Sequence, residues 1–209
     1  MEPTEENVRA WREAHAPRYR VDPGLPPVVR ERLPDLERRH VLHLRCGKGD
    51  GTAELAALGA FVTAVDSSAA DLEAARAKAP NAAFVHAELD GLPLELLRGR
   101  FQLVYAAQGT LAQVADLAAY AHGTHGALRP GGYLLHHDDH PVMNRLDHVL
   151  RWRGDYFDGR AAQLGQLVTA LSQAGLVIRR VEELPPTDAL GRHDKRAPGE
   201  LVLVAMRPD

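Results

Sequence analysis

Gly47, Gly49 and Asp66 are the residues whose types and spacing most clearly indicate chemistry. Glycines in a turn between a strand and a helix let the backbone approach a ligand closely and adopt positive φ without strain. The helix expected to begin near Thr52 would direct free N–H groups and its positive dipole end at that ligand. Asp66 ends the next predicted strand, where a carboxylate can accept hydrogen bonds from both hydroxyls of a ribose. Together they favour a nucleoside-type ligand over a plain strand-to-helix turn followed by a helix-capping acid.

The glycine spacing helps to decide between nucleotide ligands. A dinucleotide fingerprint, G-x-G-x-x-G/A, would place Thr52 at its third small position, whereas the chain has Gly47, Gly49 and Gly51. The sequence also shows no basic cluster suited to a pyrophosphate. A nicotinamide dinucleotide is therefore an imperfect match, and a nicotinamide-dependent oxidoreductase stays open as an alternative.

The run of residues from His136 to His140 forms a second group of reactive side chains. A metal site is one interpretation, but successive residues of a strand point to opposite faces and cannot all converge. His136, Asp138 and His140 could share a side only if the strand continued past Asp138. We expect the strand to end here, with His137 or Asp138 at the mouth of the active site, where one could accept a proton from a substrate. A solvated strand end without function is the alternative, and no metal is expected.

Cys46 adjoins the glycine turn and is the only cysteine in the chain. No partner base is implied by the sequence, so a nucleophilic role is not expected. A lone cysteine forms no intramolecular disulfide, which is typical of a reducing compartment. The N-terminal segment MEPTEENVRAWREAH lacks the apolar core of a signal peptide. These features predict a cytoplasmic protein.

The overall composition argues against some classes of function. The chain has 209 residues, enough for one domain with a sizeable core, and 45% of them are hydrophobic. A formal net charge of -3 argues against a dedicated surface for nucleic acids or anionic membranes, which need a basic excess. No run approaches the roughly 18 apolar residues of a membrane helix. We therefore expect neither nucleic acid nor membrane among the partners.

Apolar runs that alternate with helical patterns are expected to position these residues. Strands are predicted at 40–44, 60–65, 83–87, 101–106, 133–137, 176–181 and 201–206, and helices at 52–58, 69–78, 111–127 and 161–174. Such alternation implies a mostly parallel sheet with right-handed crossovers. A polar loop containing glycine and proline joins the last two strands, which suits an antiparallel hairpin at one edge. Residues 1–39, including a helical piece at 25–36, are expected to form an N-terminal cap.

Several segments resemble, in the right order, the motifs of one enzyme family. They are VLHLRCGKGDGT, AVDSS, HAELDGLP, LRPGGYLLHHD and the C-terminal pair AGLVIRRVEELP and ELVLVAMRP. Over about residues 41–140 the chain is similar to the S-adenosylmethionine (SAM)-dependent methyltransferases of the seven-stranded, Rossmann-like class I. This resemblance implies an α/β, doubly wound, mostly parallel seven-stranded sheet with an antiparallel last strand, in a three-layer sandwich. It also implies a single domain over 1–209, with a cap (1–39), a cofactor-binding core (40–140) and a substrate cover with the C-terminal hairpin (141–209).

The resemblance further implies which residues bind SAM. The implied set is Tyr19, Arg45, Cys46, Gly47, Gly49, Asp66, Ser67, Glu88, Leu89 and Gln108. In that family the turn backbone lines the methionine and ribose, and the acid at 66 binds the ribose hydroxyls. Ser67 would neighbour the adenine, Glu88 stands where the family has Asp, and Leu89 would pack on the ring. Gln108 would lie near the methionine, and Tyr19 could cover the sulfonium with its ring face.

The glycine motif departs from the family pattern at two positions. The family's motif reads D-x-G-x-G-x-G, whereas here His43 replaces the acid and Arg45 replaces the first glycine. These departures favour, as an alternative, a protein that binds SAM without catalysing a reaction or that acts as a regulator.

The function that the resemblance implies is SAM-dependent methyl transfer to a small-molecule acceptor by direct in-line displacement. Alignment of the reactants and exclusion of water supply most of such catalysis, so no obligatory catalytic dyad is expected. The acceptor is expected under residues 1–30 and 140–160, where Trp152, Tyr156 and Phe157 would belong to its cover. The expected assembly is a monomer or a homodimer.

Overall fold

The computed structural model describes residues 24–146, 152–159, 162–185 and 197–209. The strands are β1 His40–Leu44, β2 Phe61–Asp66, β3 Ala83–His86, β4 Phe101–Ala106, β5 Leu128–Asp139, β6 Val177–Leu184 and β7 Glu200–Met206. The helices are α1 Pro27–Arg30, α2 Asp50–Ala57, α3 Ala69–Lys78, α4 Thr110–Gln113, α5 Leu117–Ala127 and α6 Leu164–Gln173, with 3-10 turns at Leu94–Leu96 and Pro141–Arg145.

Within these described residues the strands form a seven-stranded sheet in the order β3-β2-β1-β4-β5-β7-β6. The pairs among β1 to β5 are parallel, whereas β7 runs antiparallel to both β5 and β6. The predicted doubly wound sheet with an antiparallel last strand is confirmed. Chain order reverses where β1 lies beside β4, and in open α/β sheets ligands bind in the crevice at such a point, beyond the carboxyl ends of the strands.

Alternation along each central strand places helices on both faces of the sheet. On β1, Leu42 packs into a cluster with Tyr120 of α5 and Leu171 of α6. Its neighbour Val41 points the other way, into a second cluster with Leu55 of α2. Successive strand residues face opposite sides, so a strand buried on both faces needs the continuous apolar run seen in the sequence.

The helix predicted over 111–127 is wrong as a single element, because the chain forms α4 and α5 with an extended break between them. Val114, at the end of α4, has extended backbone angles. Asp116 then caps α5, since its carboxylate accepts from the N–H groups of Ala118 and Ala119. Asp90 accepts from the two N–H groups of the break itself. The polar caps stabilise a turn that apolar periodicity does not reveal.

The strand that carries the histidine–aspartate run is longer than predicted. Asp138 and Asp139 both pair with β7, and the N–H of His140 donates to the Gly199 carbonyl at 2.9 Å. The expectation that the strand ends at Asp138 is therefore wrong, because an antiparallel partner from the far end of the chain continues the ladder.

The N-terminal helical piece predicted at 25–36 is reduced to the four-residue α1, which begins at Pro27 and ends before Glu31. Leu25, Val29 and Leu36 are nevertheless buried against the sheet. The rest of the predicted cap, residues 1–23, lies outside the described residues. None of the described helices is both long and apolar enough to cross a membrane.

Candidate functional site

The candidate site lies at the carboxyl edge of the sheet, where β1 and β4 are neighbours. Leu44 at the end of β1 pairs in register with Ala106 at the end of β4. The next residues of the two strands, 45–49 and 107–109, therefore face each other across the crevice. Asp66 and His86, which end β2 and β3, are paired at the same edge.

The two glycines of the turn serve different purposes. Both have the predicted positive φ, 50° at Gly47 and 86° at Gly49. A methyl group added to Gly47 would meet no atom within 4 Å, so this glycine presents an open face. One added to Gly49 would lie 2.6 Å from the Ala75 Cβ, so this glycine permits close packing of the turn on α3. Gly47 is thus the position where a ligand can approach the backbone.

Asp66 joins the glycine turn to the end of β2. Its Oδ2 accepts from the Gly47 N–H at 2.8 Å, and its Oδ1 accepts from the Ser68 N–H at 3.0 Å. The residue is only 2% exposed. A carboxylate has about four lone-pair sites, so two acceptor positions remain after these bonds. Two free acceptor positions are enough to bind the two hydroxyls of a ribose.

The remaining residues predicted near a nucleoside base lie at the end of β3 and after β2. Glu88 is exposed, whereas the neighbouring Leu89 is buried in the main core. Ser67 is half-buried and its carbonyl lies 2.9 Å from His86 Nε2. Ser68, rather than Ser67, caps α3 by accepting from the Asp71 N–H.

Asp138 holds the segment that follows β4. Its carboxylate accepts from the N–H groups of Gly109, Leu111 and Asp139 at 2.6 to 2.8 Å. The residue is 2% exposed, and this burial raises its pKa. His137 is also buried, and its Nε2 lies 2.9 Å from Glu200 Oε2. A solvated strand end is therefore wrong for this run, and within the described residues no three His, Cys, Asp or Glu are grouped to hold a metal.

Gln108 and Asp139 form a polar contact at the crevice. Gln108 Nε2 donates to Asp139 Oδ1 at 2.6 Å, and both residues are half-buried. Burial raises the Asp139 pKa. The sequence singled out Gln108 but missed Asp139, because the strand was expected to end before it. Gly109, with φ of 87°, was also missed, although a glycine three residues after a predicted strand was a usable signal.

Arg45 spans the crevice from the β1 side. Its backbone is left-handed, with φ of 55°, and its side chain is half-buried. A Cβ added to Gly109 would lie 2.8 to 2.9 Å from the Cζ, Nε and Nη2 atoms of Arg45. The guanidinium therefore lies against the backbone of the segment that follows β4.

His43 is a buried part of the junction between β1 and α2. Its ring stacks on Tyr105 at 5.0 Å, and its Nδ1 lies 2.9 Å from Thr52 Oγ1. Burial lowers its pKa to about 3, so the ring is neutral near pH 7. The position that carries an acid in the resembling family is here occupied by a neutral, packed side chain.

Cys46 is buried beside the turn, and burial raises its pKa to about 12. The thiol therefore stays protonated near neutral pH, as expected for a residue without a nucleophilic role. Tyr19 lies outside the described residues. In the proposed cover, Trp152 is 61% and Phe157 76% exposed, while the Tyr156 hydroxyl accepts from the Leu164 N–H.

Comparisons with known proteins agree with this geometry. Residues 41–132 match the family described as "Methyltransferase domain". An S-adenosylmethionine-dependent methyltransferase of Mesorhizobium loti superposes with a TM-score of 0.72 at 28% identity, covering 87% of this chain and 96% of that one.

Two curated relatives are similar over shorter stretches. An uncharacterized methyltransferase of Synechocystis is 35% identical over 107 residues, which are 51% of this chain and 50% of the relative. A trans-aconitate 2-methyltransferase of Paracidovorax citrulli is 30% identical over 141 residues, 63% of this chain and 54% of the relative. The chain thus spans about half the length of these relatives. Residues 41–132 therefore match a methyltransferase domain, and the fold is similar to that of the class I methyltransferases, whose cofactor is SAM.

Proposed function

We propose that the protein transfers the methyl group of SAM to a small-molecule acceptor by direct in-line displacement. The observation that carries this proposal is the open Gly47 turn, bonded to Asp66 and placed beside the β1–β4 crevice. When bound, SAM supplies an electrophilic methyl group on a sulfonium, open to attack by an O, N, S or C nucleophile of the acceptor.

The described residues fit a nucleoside with an amino-acid tail. Asp66 retains two acceptor positions for the ribose, and Gly47 offers an open backbone face next to it. Glu88, exposed at the end of β3, and Leu89 lie on the side proposed for the adenine. With the strand order β3-β2-β1-β4, the proposed position of the methionine tail is near Gln108.

Catalysis by this chain is proposed to rest on alignment and on the exclusion of water. Asp138 aligns the crevice wall, because it fixes the backbone of Gly109 and Leu111. His137 and Asp138 remain candidates for accepting a proton from the acceptor. Both side chains are buried, so the protein would have to rearrange before either of them could contact the acceptor.

A small acceptor is supported by two observations. The net charge of -3 offers no general attraction for nucleic acid. The relative from Paracidovorax citrulli is a trans-aconitate 2-methyltransferase, and trans-aconitate is a small carboxylic acid. We further propose that 1–209 acts as a single domain, that Trp152 and Phe157 help to cover the acceptor, and that a reducing, cytoplasmic compartment suits the single cysteine. Assembly as a monomer or a homodimer remains a prediction.

Calorimetry with S-adenosylhomocysteine tests the cofactor assignment. We expect one molecule to bind per chain. Gly47→Ala should weaken this binding by about tenfold or more, because its methyl group would occupy the open face that the ligand approaches. A tenfold change in Kd corresponds to about 1.4 kcal/mol. Gly99→Ala is a matched control, because Gly99 also has positive φ, and an added Cβ would meet its nearest atoms at 3.4 Å. It precedes β4 at the opposite end of the strand and should leave binding unchanged. Tighter binding of NAD(P) than of S-adenosylhomocysteine would overturn the proposal.

Turnover is tested separately with methyl-labelled SAM and a panel of small acceptors that includes carboxylic acids. Transfer of label to any of them supports the enzyme. Binding without transfer on a broad panel would favour a SAM-binding regulator instead, an alternative consistent with neutral His43 in place of an acid.

A further inference from the structure

We propose that Arg45 forms a carboxylate-binding site in the crevice between β1 and β4. The inference rests on the proposed function in one respect only, the direction in which SAM lies across the strand ends. The site itself follows from the placement of the guanidinium.

The backbone and its neighbour are both shaped to hold the Arg45 side chain in this position. Arg45 adopts φ of 55°, a left-handed conformation that costs a residue with a Cβ about 1 kcal/mol or more. A Cβ on Gly109 would be nearly equidistant from three guanidinium atoms, so a flat face of the guanidinium covers this glycine. Gly109 is in turn held by its N–H bond to Asp138, at 2.6 Å. One face of the cation is therefore covered, and the side chain as a whole stays partly exposed.

The guanidinium lacks a protein partner in the described part of the chain. Its Nε is buried without a hydrogen-bond acceptor, and no carboxylate there lies within ion-pair distance of it. The two acidic side chains that bond to the segment after β4 are already engaged, Asp138 by three backbone N–H groups and Asp139 by Gln108. A buried donor without an acceptor costs about 1 to 3 kcal/mol. The planar fork of arginine matches a carboxylate, which would relieve that cost through paired, charge-assisted bonds.

Sheet order indicates which carboxylates can reach Arg45. Glu88, Asp66 and Arg45 follow β3, β2 and β1 in turn, along one edge of the sheet. A ligand with its ribose on Asp66 and its base beside Glu88 has its far end at Arg45. In SAM that end carries the methionyl carboxylate beside an ammonium group, and the carboxylate is the group that a guanidinium would bind. A carboxylate of the acceptor, bound in the same crevice, is the second source of this chemistry.

The first experiment compares SAM with decarboxylated SAM, which differs only in lacking the carboxylate. Calorimetry on the full chain is expected to show SAM binding about tenfold to a hundredfold more tightly, as a charge-assisted bond provides. Arg45→Gly should reduce that ratio to near one and leave the affinity for the decarboxylated compound almost unchanged. Because glycine accepts the left-handed backbone, this variant should fold at least as stably as the wild type.

Arg38→Gly is the matched control for this substitution. Arg38 has φ of 57° and is exposed just before β1, at the end of the strand away from the crevice. The change removes the same charge and the same backbone strain. It should leave the ratio between SAM and decarboxylated SAM at the wild-type value.

The second experiment identifies the source of the carboxylate. If Arg45→Gly keeps the ratio, binding of trans-aconitate in the presence of S-adenosylhomocysteine is compared with binding of its trimethyl ester. If Arg45→Gly loses trans-aconitate binding while the wild type and Arg38→Gly keep it, the carboxylate at Arg45 belongs to the acceptor. If neither preference changes, Arg45 is not a carboxylate site. If the wild type binds neither SAM nor S-adenosylhomocysteine, the proposed function fails, and trans-aconitate binding to the free protein decides the Arg45 proposal by itself.

Discussion

Mild acidification is expected to destabilise this fold through two histidines that are buried in neutral form. His43 is 2% exposed, stacks on Tyr105 and lies beside the Thr52 hydroxyl. His136 is fully buried, with its Nδ1 2.9 Å from the Tyr120 hydroxyl. Burial lowers the pKa of each to about 3, whereas the ordinary value is 6.5.

The sign and size of the effect follow from proton linkage. Because the folded pKa lies below the unfolded pKa, stability is fully present above about pH 6.5 and is lost as pH falls toward about 3. In that window the unfolded chain binds two protons that the folded chain does not. Between about pH 7 and about pH 5 the loss is about 2 kcal/mol for each histidine and about 4 kcal/mol for the pair. Domains are stable by only about 5 to 15 kcal/mol, so the loss is large.

Urea denaturation at a series of pH values measures this slope, and His43→Phe isolates one contribution. Phenylalanine keeps the ring that stacks on Tyr105 but cannot be protonated. Between about pH 7 and about pH 5, the His43→Phe variant should lose about 2 kcal/mol less stability than the wild type loses. Buried Asp138 and Asp139, whose raised pKa values act in the opposite direction, are present in both proteins. Their effect therefore cancels in the comparison.

His122→Gln serves as the control, because His122 is exposed. It should follow the wild-type dependence on pH. If the curves of His43→Phe and the wild type run parallel across this range, His43 does not stay neutral in the folded protein, and the reasoning fails.

Two further substitutions test the walls of the crevice. Gly49→Ala should lower the free energy of unfolding, measured by urea denaturation, by about 2 to 4 kcal/mol, since its Cβ would lie 2.6 Å from that of Ala75 in a left-handed turn. Gly47→Ala should lower it by only about 1 kcal/mol, because its Cβ would meet no atom within 4 Å. Equal losses would contradict the close packing at Gly49. Asp138→Asn should lose about 2 to 4 kcal/mol, because one carboxylate oxygen that accepts backbone N–H groups becomes a donor. An unchanged stability would show that Asp138 does not hold the segment after β4.

Prediction from sequence succeeded where local pattern and structure coincide. The strand 101–106 and the helix 69–78 were placed at their observed bounds, because apolar runs and the Ser68 cap act within a few residues. Gly47 and Gly49 were expected to allow positive φ without strain, and both adopt it. Prediction failed where a distant partner decides. The turn at 114–116 depends on Asp90, which lies outside any local window.

The sequence by itself determined the class of fold, the glycine turn and the acid at the end of β2, since each is encoded by residue type and short spacing. Only the tertiary structure decided what surrounds Arg45. Its contact with Gly109 joins residues 64 positions apart, and it exists because β1 and β4 are neighbours in the sheet. In the same way, β7 extends β5 beyond Asp138 and buries that carboxylate under the segment after β4. Such contacts arise from strand order and register, which residue patterns along the chain do not record.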